Sequence, residues 1–213
     1  VADALLVYDN EILKAPQNIE IDVSDEEVVA GPDTSVKIKL YITDVMGRPV
    51  GDGTPVIVST DLGMTEPRYE TKNGQVLVQL SNLRIPGQAH VKALCGVACG
   101  HTRISVIPGE PDRVISRITK TENHGEYQVE LLLCDSSLNP VSTRLLLIDE
   151  FSGKGHPEPE EVVTGRDGVG GFLWKDGTPG DIFKVTLANQ MVFRGVISPG
   201  ITEMETLKEV EDD

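Results

Sequence analysis

An eight-residue segment, TDVMGRPV, constrains the fold more than any other feature, because it returns ninety-one residues later as CDSSLNPV. The first copy runs from Thr43 to Val50 and the second from Cys134 to Val141, with an Asp, a Pro and a Val at the same places in both. Alternating apolar and polar residues lead into each copy, as in a strand with one face in a core and one in water. Each copy is polar and ends in Pro-Val, which is typical of a turn. The chain therefore contains one β module twice.

The rest of each half follows the same plan of short strands and turns. Asn73-Gly74 and Asp167-Gly168 predict turns that open the next strand, and Pro86-Gly87 and Pro179-Gly180 precede the strand after it. No segment has the period of a helix. An all-β sandwich or barrel is therefore predicted for each half.

The order of these turns also predicts which residues fill the second core. Phe172 and Trp174 take the core positions that Val78 and Leu80 hold in the first half. Trp174 is the only tryptophan, and an inward ring argues against an accessory carbohydrate-binding module, because sugar-binding faces present exposed aromatic rings. We keep that function as the third alternative. Two polar segments, 25–35 and 61–70, are predicted to be a crossover and a loop.

These motifs together resemble the group 1 bacterial immunoglobulin-like domains, which are the repeats of invasin- and intimin-type surface proteins. The resemblance covers most of residues 17–109, and the motifs that carry it are Thr43-Asp44, Gly47, Pro49-Val50, Thr71, Asn73-Gly74, Val76, Val78, Leu80 and Pro86-Gly87. The second half departs from the pattern at Leu138, which replaces Gly47, and at Gly170-Gly171, where glycine weakens strand pairing or marks a bulge. The resemblance implies sandwich modules strung as rods on cell surfaces, without catalytic residues.

Four segments are predicted along the chain. Residues 1–16 form a leader with an apolar patch at Ala4–Tyr8, and residues 17–109 and 110–200 form two tandem immunoglobulin-like β-sandwich modules. Residues 201–213 form an acidic tail. The leader could be a strand donated to a neighbouring copy, because an open sandwich edge accepts added strands through main-chain hydrogen bonds.

The net charge of −15 excludes several partners. No basic stripe is present that could displace counterions from nucleic acid, and the charge disfavours docking on anionic lipid. No apolar run approaches the roughly 18 residues of a membrane span, so no transmembrane segment is predicted. Because the chain begins with Val1, we expect a processed mature form or a piece of a longer polypeptide.

The cysteines and histidines give no clear site. Cys95 and Cys99 could form a disulfide, which would suit an extracellular setting, but Cys99 is out of phase with the strand after it, so the pairing stays open. Cys134 is predicted on an outer face, where a free thiol is favoured and an intermolecular disulfide is kept as the alternative. The histidines show no spacing typical of metal ligands, and they are His90, His101, His124 and His156.

Three acidic clusters could offer oxygen ligands to calcium. They are Asp25-Glu26-Glu27, Glu158-Glu160-Glu161, and the pair Glu110 and Asp112. None places ligands at alternating positions of a loop, so solvated charge is favoured and calcium is kept as the alternative; no other cofactor is predicted. The GKG of Gly153–Gly155 lacks the longer frame of a phosphate loop, and no nucleophile elbow is present, so an enzyme is not predicted.

We predict a non-catalytic structural or adhesion module of a microbial cell-surface or secreted protein. It would act outside the cell as a spacer, scaffold or stalk, with protein partners or self-association. The alternative is a subunit of an extracellular filament or surface layer, assembled by strand donation from residues 1–16.

Asp44 and Asp135 give the repeat its sharpest test. Both end a core strand and precede a turn, where an aspartate accepts hydrogen bonds from backbone amides of the residues that follow. If the halves are copies, replacing either aspartate by alanine destabilises only its own module. Val76–Leu80 must then also correspond to Gly170–Trp174.

Overall fold

The computed structural model describes residues 14–187, 191–200 and 202–209, and every regular element among them is a β-strand. The chain divides into two compact units, Val1–Ile107 and Pro108–Asp213, which we call module 1 and module 2. The division falls two residues ahead of the predicted boundary. Within the described ranges, no helix is long and apolar enough to cross a membrane.

Module 1 is a sandwich of two sheets. Its described strands are β1 (Asn18–Val23), β2 (Glu27–Val29), β3 (Ser35–Thr43), β4 (Pro55–Thr60), β5 (Arg68–Glu70), β6 (Gln75–Ser81), β7 (Gly87–Cys95) and β8 (Ala98–Ile107). One sheet has the order β1-β3-β6 and the other the order β2-β8-β7-β4-β5. All neighbouring strands are antiparallel except β2 and β8, which run parallel.

The core of module 1 lies between the two sheets and is built from small and branched apolar side chains. The alternation in β3 is confirmed, because Val36, Ile38, Leu40 and Ile42 are buried while Lys37 and Lys39 are exposed or nearly so. Each fully buried Val, Ile or Leu side chain contributes about 1.5–3 kcal/mol to folding.

Module 2 is a second sandwich, and all of its described strand pairs are antiparallel. Its strands are β9 (Arg113–Lys120), β10 (Tyr127–Cys134), β11 (Leu145–Ser152), β12 (His156–Glu158), β13 (Glu161–Val163), β14 (Val169–Lys175), β15 (Ile182–Leu187), β16 (Met191–Val196), β17 (Thr202–Thr206) and β18 (Lys208–Glu209). The sheets have the orders β12-β14-β10-β9-β17 and β13-β11-β15-β16-β18. The core is aromatic around Phe183, whose ring centroid lies 5.5 Å from that of Phe172 and 5.9 Å from that of Trp174.

The strand register confirms that module 2 repeats module 1. From Gln75 to Leu80, each residue of β6 pairs with a residue of β3, and the corresponding residue of β14 pairs with the residue of β10 that lies ninety-one positions after that partner. The corresponding pairs are Val76–Leu40 and Gly170–Leu131, Val78–Ile38 and Phe172–Val129, and Leu80–Val36 and Trp174–Tyr127. Phe172 and Trp174 are both buried, as predicted.

Of the two alternatives for Gly170 and Gly171, the bulge is not formed, because both residues pair in unbroken register with β10. A Cβ on Gly170 would lie 3.0 Å from side-chain atoms of Leu146 and of Val162. The glycine therefore fits where the facing sheet packs closely against β14.

Three short stretches differ from the sequence-based assignment. The crossover 25–35 contains β2, and the loop 61–70 contains β5. Both strands have three residues, which is too short for a period-two pattern to show. Residues 202–209 complete both sheets of module 2, because β17 pairs with β9 and β18 with β16, so they do not form a tail. The leader residues 1–13, including the proposed donor strand, lie outside the described residues.

Candidate functional site

The histidines lie apart from any larger group of metal-ligand side chains in the part of the chain that the structure describes. The described ranges contain no group of three or more His, Cys, Asp or Glu side chains that could hold a metal ion. His90 and His101 nevertheless share the exposed face of β7 and β8, with His90 opposite Arg103 and Lys92 opposite His101. His90 Nδ1 lies 2.7 Å from Asp61 Oδ2, so this histidine pairs with a carboxylate.

Several carboxylates of the acidic clusters pair with basic side chains. Arg144 Nη2 donates to Glu110 Oε2 at 3.1 Å, and Lys175 pairs with Glu158 across β14 and β12. The hydrogen bond from Lys175 lowers the pKa of Glu158 below its usual value. Calcium binding at these clusters stays a prediction.

The cysteines are free, and their positions explain why. Cys95 points into the core of module 1, whereas Cys99 lies on the exposed face of the same sheet, so their side chains cannot form a bridge across the hairpin. Cys134 is a free thiol, as predicted, but its predicted position on an outer face is wrong, because this residue is buried. It lies at the end of β10, where its backbone pairs with Arg113 on one side and Pro140 on the other. Both faces of the strand are covered there, because Leu133 is buried as well. Burial raises the pKa of its thiol.

We expect a thiol reagent to modify the native protein at Cys99 alone. Cys95 and Cys134 are buried, and burial raises the pKa of both thiols, which keeps them in the less reactive protonated form. Mass spectrometry with peptide mapping, before and after denaturation, measures the sites. Modification of Cys95 or Cys134 in the native protein would contradict the assigned faces.

The two aspartate turns have the same hydrogen-bonding scheme, as predicted. Asp44 Oδ1 accepts the backbone N–H groups of Met46 at 2.8 Å and Arg48 at 3.0 Å. Asp135 Oδ1 accepts those of the residues ninety-one positions later, at 2.9 and 2.8 Å. The second carboxylate oxygen of Asp135 also accepts Gly109 N–H at 2.9 Å, which fastens the start of module 2 to this turn.

These hydrogen bonds stabilise the ionised carboxylates. Burial alone raises the pKa of Asp44 and of Asp135, but the bonds from Arg48 to Asp44, and from Gly109 and Asn139 to Asp135, outweigh it and lower both pKa values below 3.8. The turns therefore gain stability above this pH and lose it as the pH falls through the lowered pKa values. Both aspartates are structural groups.

Each aspartate turn is held against a second turn that contains an essential glycine. Gly74 has φ +68°, and a Cβ on it would lie 2.6 Å from Pro49 Cβ. Gly168 has φ +74°, and a Cβ on it would lie 2.9 Å from Pro140 Cβ. The Asn-Gly turn of module 1 and the Asp-Gly turn of module 2 therefore each pack a glycine against the proline of the aspartate turn.

Leu138 keeps the backbone conformation of the glycine that it replaces. Its φ is +65°, against +74° for Gly47. A left-handed conformation is strained for a residue with a Cβ. The turn of module 2 therefore contains a strained leucine that the surrounding hydrogen bonds hold in place.

We expect Leu138→Gly to stabilise module 2 by about 0.5–1 kcal/mol, because relief of the strain exceeds the entropy lost with glycine. Leu138 is 46% exposed, so little apolar burial is lost. Urea unfolding measures the change. Ser137→Gly, one residue earlier and without a positive φ, is the control and should give no gain; equal gains at both positions would contradict the assignment of strain to Leu138.

A buried Trp–Asp pair is the main polar feature of module 2. Trp174 Nε1 donates to Asp181 Oδ2 at 3.2 Å, and the same oxygen accepts Gly155 N–H and Thr178 N–H, each at 3.0 Å. Thr178 Oγ1 donates to the other carboxylate oxygen at 2.8 Å. Burial raises the pKa of Asp181, but the hydrogen bonds outweigh it and the pKa is lowered. The Asp181 carboxylate thus connects the loop of Gly155, the loop of Thr178 and the Trp174 ring through hydrogen bonds.

Glycines close the space around this pair. A Cβ on Gly155 would lie 2.0 Å from Trp174 Nε1, and one on Gly177 would lie 2.2 Å from Trp174 Cδ1. The GKG segment is therefore a close approach of backbone to an indole ring. Asp181 was not predicted from the sequence. Its signal is the Thr-Pro-Gly-Asp tetrapeptide of residues 178–181, in which the aspartate accepts hydrogen bonds from the threonine.

The outer face of the five-stranded sheet of module 1 is the best candidate for contact with a partner. Ile57 in β4 lies opposite Leu94 in β7, which lies opposite Cys99 in β8. Ile57 is 52% and Leu94 36% exposed, although both are apolar. Lys92 and Arg103 are exposed on the same face. We call these five residues the Ile57–Leu94 face; it combines an apolar centre with a basic rim in a chain of net charge −15.

Comparison with known proteins shows which solved structures have a similar fold. No family model and no curated protein sequence matches the chain. The solved structure of InvD from Yersinia pseudotuberculosis is similar, with a TM-score of 0.59 and 15% identity over 90% of this chain and 58% of that chain. Invasin, a bacterial integrin-binding protein, is similar with a TM-score of 0.56 and 14% identity over 90% of this chain and 40% of that chain.

This chain spans less than two thirds of either structure, and the likeness concerns the fold. It agrees with the strand register and with the motifs that carried the resemblance in the sequence. The chain has the immunoglobulin-like β-sandwich fold that InvD and invasin share.

Proposed function

We propose that this chain is a non-catalytic, adhesion-type module pair of a microbial cell-surface or secreted protein, and that it acts there as a spacer or stalk. The observation that carries the proposal is that one sandwich occurs twice in tandem with the same strand register. Repeating a self-contained module lengthens a protein without adding chemistry. The fold of invasin, a bacterial integrin-binding protein, supports the proposal.

The buried carboxylates support a structural role as well. Asp44, Asp135 and Asp181 each accept hydrogen bonds from backbone N–H groups of turns and loops. Burial raises their pKa values, but the hydrogen bonds that they accept from these amides and from neighbouring side chains outweigh it and lower them. A general acid or base that works near neutral pH needs the opposite shift.

A bead assay tests the spacer function. A receptor-binding domain is attached to beads that carry a dense polymer brush, either directly or at the C-terminal end of this chain. Because a spacer raises the domain above the brush, beads with the chain should bind receptor-coated surfaces and beads without it should not. Equal binding by both, at matched densities, would overturn the proposal.

A second candidate is direct contact of the Ile57–Leu94 face with a protein partner that has acidic groups around an apolar patch. An apolar centre with a polar rim is the usual anatomy of a protein interface. In this case beads coated with the chain alone should bind host cells. Leu94→Asp should abolish that binding, and Leu77→Asp, at a 66% exposed leucine of the other sheet, should preserve it. If the chain alone does not bind, direct contact through the Ile57–Leu94 face is wrong, and the spacer function is unaffected.

A further inference from the structure

We infer that module 1 is built to resist a pulling force along the chain, and that module 2 is built to yield first. The inference rests on the proposed stalk function, because a stalk is the part of an adhesion protein that carries tension between its two ends. It arises from one difference between the modules: how the first strands of each module pair with its last strands.

β2 and β8 form the single parallel pair among the described strands. β2 lies opposite Ser105–Ile107 over its whole length. The pair is closed at both ends, because Ser105 N–H donates to the carbonyl oxygen of Glu26 at 2.8 Å and Ala30 N–H donates to that of Ile107 at 2.8 Å. β2 belongs to the N-terminal part of module 1, and β8 is its last strand.

The direction of the two strands decides how they respond to force. A pull on the N-terminal end of module 1 first separates β1 from β3 and then draws β2 backward along its axis. A pull on the C-terminal end draws β8 forward. Because the strands are parallel, they must slide past each other, and their hydrogen bonds carry the load together. Each bond contributes only about 0.5–1.5 kcal/mol, so simultaneous loading is what makes the pair resistant.

Side chains anchor β2 against this sliding. Val28 is partly buried and packs against the core of module 1, and Ala30 is buried. Thr34 Oγ1 donates to the carbonyl oxygen of Val29 at 2.8 Å and so fixes the turn that follows β2. Sliding of β2 along β8 would therefore also draw Val28 out of the core.

Module 2 pairs its ends in a different way. Its first strand, β9, stays beside β10 over its whole length and pairs on its other side with β17, antiparallel, so that Thr206 lies opposite Arg113. Leu207 N–H also donates to the carbonyl oxygen of Asp112 at 2.7 Å. Arg113, at the start of β9, and Thr206, at the end of β17, thus lie side by side. A pull on the two termini first loads the two-residue strand β18 and then peels β17 from β9 one bond at a time, which needs less force than sliding.

Force spectroscopy on the full chain, held at its two termini, tests the inference. We expect a low-force event for module 2 and a separate high-force peak for module 1. Glu26 and Ala30 both bond to β8, so the alternation of the strand directs the backbone groups of Val28, midway between them, toward β8 as well. Val28→Pro should therefore remove the high-force peak, because proline has no N–H. Val29→Pro is the matched control, because the N–H of Val29 points away from β8; it should keep the peak.

A second choice of pulling points needs no substitution in β2 or β8. With one handle on the N terminus and the other on the exposed thiol of Cys99, at the start of β8, both pulled ends lie at the N-terminal ends of parallel strands. The β2–β8 pair is then not sheared, and the high-force peak should disappear from the unmodified protein. This measurement decides the matter even if Val28→Pro prevents module 1 from folding.

The inference is overturned if Val29→Pro removes the peak as fully as Val28→Pro, or if pulling at Cys99 requires the same force as pulling at the C terminus. It is also overturned if both modules unfold at one force. These results would leave the bead assay unaffected, since that assay measures reach without strong tension. If the bead assay fails but the two modules still unfold at different forces, the stalk function is wrong. The resistance of the β2–β8 pair to force is then still supported.

Discussion

Trp174→Ala is expected to destabilise module 2 by about 3–5 kcal/mol, the usual loss when a buried aromatic ring is truncated. The indole is fully buried, and it contacts Phe183 and lies beneath the backbone of Gly155 and Gly177. The cavity cannot collapse easily, because these glycines belong to loops that Asp181 holds in place. Urea unfolding followed by circular dichroism measures the loss.

Trp174→Phe is the control for this prediction. Phenylalanine keeps much of the volume but loses the Nε1 donor to Asp181, so we expect a smaller loss of about 1–2 kcal/mol. The transition of module 1 should not move in either variant, because Trp174 belongs to the separate core of module 2. Equal losses for the two variants would show that the hydrogen bond, and not the volume of the ring, stabilises this region.

Asp181→Asn is expected to cost module 2 about 2–3 kcal/mol, because an amide nitrogen would face N–H donors that now share a carboxylate. Three N–H groups and one hydroxyl donate to Asp181, and the residue is buried. Asp176→Asn is the same chemical change in the same loop. Its side chain is 83% exposed, so it should have almost no effect.

The stability difference between these two variants should also shrink on acidification. The pKa of Asp181 is lowered by its hydrogen bonds, so its contribution is present above the usual value of 3.8 and lost as the pH falls through the lowered pKa. Thermal unfolding between neutral and acidic pH measures this. A difference that stays constant with pH would contradict the role of the ionised carboxylate.

The features that the sequence predicted well are those that repeat. A gap-free recurrence carries the spacing of strand and turn together, so Asp44 and Asp135 could be assigned the same hydrogen bonds from their positions alone. Strict alternation likewise assigned Phe172 and Trp174 to the core, because the pleat fixes the side of each residue once the register is known.

The features that the sequence did not predict depend on contacts between distant segments. β2 has three residues, and it is a strand because β8 lies beside it, seventy-eight residues later. Cys134 is in phase with the polar residues of its strand. It is nevertheless buried, at the strand end where its backbone pairs with Arg113 and Pro140. Asp181 is buried because loops from two separate segments meet over Trp174. The alternation of residues within one segment does not indicate which distant segment packs against it.

The central claim is that the chain consists of two self-sufficient copies of one sandwich, and native-state hydrogen exchange tests it most directly. Asp44→Ala removes the acceptor of Met46 and Arg48, and Asp135→Ala removes the acceptor at the same place in module 2. Each substitution should speed amide exchange only within its own module, over residues 18–107 or 113–209. Faster exchange in both modules after either single substitution would contradict the account.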